Sequence, residues 1–347
     1  MIRRRRQAIF LAAALLAGAA SLDGCLAAAP LCLRGVNTAG AEFGDLPGRY
    51  GFDYAYPTEA TIASLARIGI TAIRLPVRWE RLQSQLNTPL ERDELARLDA
   101  TVATARAAGL TTILDLHNYA YFNKARIGSD AVPVKGFADV WNRIAKHFRG
   151  ERRVAFGLMN EPYDLPAPDW LAATNAAIAG IRAARANQLI LVSGTAYSGA
   201  HSWTADLPVG NNGVTMLGVR DPANNYAFEV HQYLDGDYSG RSASCERAPE
   251  ALAGIQRVNA WLAANGKRGF IGEIGASDRP ECVAALANIL DFVNSNSRQW
   301  LGWTIWAAGE RWPQAYPFNV QPAQPNPPVL AMLAGKVDAA NCRAATP

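Results

Sequence analysis

Two glutamates stand out for the company they keep. Glu161 lies in "GLMNEPYD" (157–164), where an apolar run gives way to Asn160, the acid and then a proline. Glu273 lies in "GFIGEIGAS" (269–277), again at the end of an apolar run, far along the chain. Burying a carboxylate is costly unless something compensates. Two carboxylates that face each other have a specific use in the cleavage of a glycosidic bond. At a separation of about 5–5.5 Å one attacks the anomeric carbon while the other protonates the leaving oxygen; a wider gap admits a water and inverts the product. The expectation is Glu273 as nucleophile and Glu161 as acid/base.

Other side chains suited to a sugar end similar apolar runs: Arg74, His117 with Asn118, Asn160, His231 with Tyr233, and Trp306. Arg74, Tyr233 and His117 would direct charge or donors toward Glu273 and lower its pKa, keeping it ionised. Asn160 suits a donor to the sugar 2-hydroxyl, and Trp306 an aromatic floor. Asp115 and Glu229 precede His117 and His231 by two, so strand alternation places them on the same face but deeper, with Asp115 a partner for Arg74. Trp203 and His201, in "SGAHSW", are loop residues that would line a leaving-group subsite or pack that loop. With four histidines and no close pair of them, no metal site is expected, and two carboxylates need no cofactor.

The elements that would hold these residues alternate. Strand-like runs fall at 33–37, 72–77, 111–117, 154–160, 189–194, 227–233, 269–275 and 301–307. Amphipathic helical patterns lie between them at 58–69, 91–109, 137–148, 168–185 and 280–296. Such alternation predicts an α/β fold, a (β/α)8 TIM barrel in a single domain, whose chemistry collects at the C-terminal ends of the strands. Strands four and seven then oppose Glu161 and Glu273 across the mouth. Long segments at 118–136, 195–225 and 234–249 would wall an open cleft. The Pro-rich 317–330 reads as an ordered loop before a closing helix.

The first 25 residues have a basic head, an Ala/Leu run and small residues ending in "SLDGC", the pattern of an export signal. Its last residue, Cys25, sits in a loose lipoprotein-type box that admits a lipid-anchored form. The apolar run is too short for a mature membrane span. Without this segment the chain is close to neutral, which gives no reason to expect nucleic acid or an anionic membrane as partner. Four cysteines remain, an even number in an exported chain, and the expected pairs are Cys245–Cys282 and Cys32–Cys342.

The motifs "RGVNTAGAEFG", "AIRLPVRWERLQ", "LDLHNYAYFNKARIG", "FGLMNEPYD", "FEVHQYLDGDYSG" and "IGEIG" followed by "WTIWAAG" together resemble family five of the glycoside hydrolases, most of all its secreted endo-β-1,4-glucanase branch. The likeness runs from about residue 33 to 315. It implies Glu161 as acid/base, Glu273 as nucleophile, and supporting roles for Arg74, His117, Asn160, His231, Tyr233 and Trp306. It also implies a secreted, monomeric enzyme acting on a β-1,4-linked glucan polysaccharide. An endo-β-mannanase or a xyloglucan-cleaving enzyme would share the same catalytic pair; a non-catalytic glycan-binding protein is the remote alternative.

Overall fold

The computed structural model describes residues 32–337. Eight strands form the frame: β1 (Leu33–Thr38), β2 (Ala72–Val77), β3 (Thr111–Leu116), β4 (Val154–Gly157), β5 (Ile190–Ser193), β6 (Tyr226–Tyr233), β7 (Gly269–Gly275) and β8 (Trp300–Ala308). Each pairs in parallel with its neighbours in sequence, and β8 returns to β1, so the sheet closes. The expected (β/α)8 barrel is therefore what the chain forms.

Around it lie α1 (Glu59–Arg67), α2 (Arg92–Ala107), α3 (Val134–Phe148), α4 (Ala167–Ala183), α5 (Ala248–Ala264), α6 (Pro280–Ser295) and a short closing α7 (Pro328–Leu333). The Thr58 hydroxyl caps α1 by accepting from the Thr61 amide. Proline opens α6 and α7, where a missing N–H costs nothing. The alternation fails once. After β5 only a four-residue turn of helix (Asn212–Thr215) and a 3-10 turn (Met216–Gly218) stand in place of a full helix, within the 195–225 segment read as a cleft wall.

Strand alternation sorts the side chains into two cores. Ile73, Leu75, Leu114, Val192, Val230 and Ile305 face the helices, and Trp303 packs there too. Ala72, Ile113, Ala155, Leu191, Ala227 and Phe270 plug the barrel interior at its N-terminal end. One strand departs from the rule. In β7 the register against β6 slips so that His231 pairs with Glu273 rather than Gly272. Such a bulge re-aims the side chain that follows it. Ile271 and Ile274 both face the helices, and Glu273 between them turns inward. Gly272 is required at the bulge, because a Cβ there would collide with Glu229 Oε1.

Cys245 and Cys282 form a disulfide that ties the segment after β6 to the first turn of α6. The other expected pair, Cys32 with Cys342, involves a residue outside the described range, as do Cys25 and the expected signal at 1–25. No described helix is long and apolar enough to cross a membrane. The bridged residues are 37 apart in sequence, so loop-closure entropy gives the Cys245–Cys282 bond about 3–4 kcal/mol. Replacing both cysteines by serine should lower the unfolding free energy in urea by that order and raise the denaturant slope somewhat, because the unbridged unfolded chain exposes more surface. A loss below about 1 kcal/mol would show that the bridge does not constrain the unfolded chain.

Candidate active site

Arg74 lies in the middle of β2 and is fully buried. Its guanidinium rises through the barrel to the level of the strand ends. Nη1 donates to Glu273 Oε1 (3.1 Å) and Asn37 Oδ1 (2.9 Å), and Nη2 donates to Asn160 Oδ1 (2.8 Å). Nε lies 3.0 Å from Glu229 Oε1 and Nη2 3.1 Å from Asp115 Oδ1, ion pairs that fall off the N–H axes. The deeper placement expected of Asp115 and Glu229 is observed, and both serve Arg74. Burial works against the guanidinium's charge, but Asp115, Glu229 and Glu273 outweigh it and hold the pKa above its usual range.

Glu161 sits just past β4, where Asn160 still pairs through its amide with Leu116 O. The acid then adopts a left-handed backbone, φ 42°, at a cost of about 1–2 kcal/mol. That turn carries the side chain off the strand and over the mouth. Pro162 follows, its carbonyl accepting from the Tyr197 amide (3.0 Å). Glu161 Oε1 meets His231 Nδ1 at 2.8 Å, and His231 Nδ1 is 3.6 Å from Glu273 Oε2. Glu161, His231 and Glu273 each bring a polar atom to within 4.8 Å of the other two. The two acids, remote in sequence, do converge.

Glu273 accepts on both oxygens, from Arg74 on Oε1 and from the Tyr233 hydroxyl on Oε2 (2.7 Å). Burial, then the charge of Glu273, holds the Tyr233 phenol well above its usual range, so it remains a donor. The expected lowering of the Glu273 pKa is not what the site produces. Burial raises it, His231 opposes, the Glu161 charge raises it further, and Arg74 opposes. Arg74, Tyr233 and His231 keep a buried carboxylate usable rather than making it unusually acidic.

The two histidines have opposite states. Burial pulls His231 down, but the Glu273 charge and hydrogen bonds with Glu161 and Glu229 more than compensate and raise it to about 10. His117 is pushed down to about 3 by burial. Neutral His117 donates from Nδ1 to Asp115 (2.8 Å) and accepts on Nε2 from Asn160 Nδ2 (3.2 Å) and the Tyr119 hydroxyl (3.3 Å). It therefore brings no positive charge to Glu273, contrary to expectation; it fixes the Asn160 amide. Glu161, His231 and Glu273 are also the described residues spaced to hold a cation, but an ion there would have to displace the His231 proton.

The cleft above these groups has a volume of about 840 Å3. Trp306 forms part of its floor, stacked on His117 (5.7 Å) and donating to the Tyr316 hydroxyl (2.9 Å). Two expected members are elsewhere. Trp203 is wholly buried against Phe228 and Trp261, because its loop folds back onto the outer core, whereas His201 of the same loop does face the cleft. Asn118 accepts from the Trp79 amide and donates to Glu80, so it anchors the end of β3 to the segment after β2 and does not reach the cleft.

Several wall residues had escaped notice. Trp312 and Tyr316 stack at 4.0 Å beside Trp306, and Tyr163 stacks on Tyr197 at 5.1 Å on another wall. Their only sequence signal is an aromatic residue a few positions beyond a strand end. Segments after β3, β5 and β6 do wall the cleft, through Tyr119, Tyr197 and Asp237–Arg241, and the segments after β4 and β8 join them.

The model of the cellulase family, glycosyl hydrolase family 5, matches residues 28–309. The chain belongs to that family. It is a glycoside hydrolase. Endo-beta-1,4-glucanase B of Emericella nidulans is 35% identical over 83% of this chain and 85% of its own length. Endoglucanase 1 of Saitozyma flava is 34% identical over 89% and 94%. Among solved structures, an endo-beta-1,4-glucanase from Xanthomonas axonopodis pv. citri is 42% identical, with a TM-score of 0.86 over 88% of this chain and 98% of that one. An endoglucanase from Pseudomonas stutzeri is 31% identical, with a TM-score of 0.81 over 88% and 94%.

The raised His231 pKa has a sign that unfolding experiments can read. Its contribution to stability is fully present below the ordinary histidine value of 6.5 and is lost as pH rises through about 10. Between pH 6 and 10 the parent should therefore lose more stability in urea than His231→Asn does. Parallel losses in the two proteins would mean that His231 is not held as an imidazolium.

Proposed function

We propose that this enzyme hydrolyses internal β-1,4-glucosidic bonds of a glucan with retention of configuration, Glu273 being the nucleophile and Glu161 the acid/base. The observation that carries the mechanism is the convergence of both acids, through His231, within 4.8 Å. An approach this close accords with the short spacing of retaining enzymes rather than the wider gap that admits a water. The substrate rests on the relatives: the curated ones are named endo-β-1,4-glucanases, and XacCel5A, 42% identical, has been solved in complex with cellopentaose.

The division of labour follows from the donors. Glu273 has Arg74 and Tyr233 on its two oxygens, and an acceptor of two such bonds is a carboxylate ready to attack. As it bonds to the anomeric carbon, Glu161 gives a proton to the departing glycosidic oxygen. Glu161, hydrogen-bonded to His231 and partly open to the cleft, is the acid placed to deliver that proton. In the second step Glu161 takes a proton from water, whose oxygen attacks the same carbon and frees Glu273. Asn160, its Oδ1 fixed by Arg74 and Nδ2 by His117, retains one Nδ2 hydrogen for the sugar 2-hydroxyl, a bond that strengthens in the transition state.

Residues 1–25 are read as the export signal of a secreted, single-domain monomer; the Cys245–Cys282 bridge accords with an oxidising compartment.

Glu273→Ala should remove nearly all turnover of a soluble β-glucan, a fall of about 10⁴-fold or more; activity within tenfold of the parent would refute the assignment. Glu161→Gln should slow unactivated glucan far more than an aryl cellobioside with a good leaving group, since the latter needs no proton. An equal loss on both would place the acid elsewhere. The first product seen by proton NMR should be the β-anomer, and initial α-product would mean inversion.

A further inference from the structure

Resting on that reading, we infer that the loop between β1 and α1 carries a second, non-catalytic binding platform for the β-1,4-glucan chain, formed by Tyr50 and Phe52. These are the strongly exposed aromatic side chains outside the catalytic cleft among the described residues, and they lie two positions apart. Phe52 is 67% and Tyr50 50% exposed. Clustered exposed apolar surface usually marks an interaction site.

The platform is built rather than loose. Arg81, itself buried, clamps the loop by donating to the carbonyls of Ala41, Phe43 and Pro47 at 2.6–2.9 Å, and lies over the Tyr54 ring. The guanidinium of Arg97 covers one face of Tyr50 at 4.4 Å, and that of Arg49 covers one face of Phe52 at 4.6 Å. Each ring thus carries a guanidinium over one face, Tyr50 also meets the Tyr54 and Tyr56 rings, and both stay half or more exposed, an arrangement on which the C–H face of a pyranose can stack.

Charge favours a neutral occupant. Arg49 is paired with Asp53 and Arg97 with Glu94, so the cations beside the rings are already answered and an anionic polymer gains little. Position favours the enzyme's own substrate. Phe43 of this loop packs edge-on against Trp312 in the cleft (4.7 Å), and Arg311, next to Trp312, donates to Gly51 O between the two exposed rings (3.3 Å). The surface therefore adjoins the cleft wall, where a long glucan would leave it, whereas a short oligosaccharide would not reach it.

The test uses Tyr50→Ala/Phe52→Ala in the full enzyme, with neutral hydroxyethylcellulose as the polymer and an aryl cellobioside as the short substrate. The double variant should bind hydroxyethylcellulose about tenfold more weakly in affinity electrophoresis, measured in a Glu161→Gln background, and its KM for the polymer should rise. Its kcat on the aryl cellobioside should stay within twofold of the parent. Tyr50→Trp/Phe52→Trp should restore polymer binding. Polymer binding unchanged within twofold, an equal loss on both substrates, or a parent dimer that the double variant dissociates would each overturn the inference. A parent that cleaves no β-1,4-glucan sinks the functional reading and this inference with it; a cleaving parent with an indifferent double variant sinks the inference alone.

Discussion

One guanidinium organises the mouth of this barrel. Arg74 stands without solvent among Asp115, Glu229 and Glu273 and also grips Asn37 and Asn160. Buried ions earn little net stability, because desolvation consumes most of their attraction. What such a cluster does provide is position, since each carboxylate is held where its charge is answered. Glu229 and Asp115 form a tier above the apolar plug of the barrel, and the groups proposed to touch sugar stand one tier higher. Removing Arg74 would leave three acids, Asp115, Glu229 and Glu273, without their common partner.

His231 is the second pivot. Its two nitrogens contact Glu161 and Glu229, and Glu273 lies close by. Charge is thereby distributed unevenly around the pair. Glu273 is surrounded by an arginine, a phenol and an imidazolium, whereas Glu161 has the imidazolium and a partly open flank toward the cleft. Asp115 shows the same balance one tier down. Burial pushes it up to about 7 despite Arg74, while Arg74 and His231 overcome burial to hold Glu229 below the usual carboxylate range. A low-dielectric interior with a limited supply of cations keeps some acids ionised and lets others share a proton.

Much of this was legible in the sequence, for definite reasons. Short apolar runs between amphipathic stretches located all eight strands, and the acids at the ends of the fourth and seventh pointed to the mouth. Alternation alone would nevertheless have mistaken Glu273. Counting from inward Phe270 puts Gly272 inside and Glu273 outside; the bulge at Gly272 turns Glu273 inward as well, which no local pattern in the sequence signals. Irregular backbone hid the rest. Trp312, Tyr316, Tyr163 and Tyr197 sit in segments with no period, and Trp203 looked available because nothing in "SGAHSW" tells which ring turns inward. The protonation states of His117 and His231 depend on burial and on neighbours brought from other strands, which a linear reading does not contain.

The central claim is that Glu273, held by Arg74 and Tyr233, forms the covalent bond to sugar while Glu161 moves the proton. A 2-deoxy-2-fluoro cellobioside with a good leaving group slows the second step and should trap that bond. Peptide mass spectrometry of the inactivated enzyme is then expected to find one glycosyl adduct, on Glu273 of "GFIGEIGAS". An adduct on Glu161, or full turnover-dependent inactivation with neither acid labelled, would contradict the account.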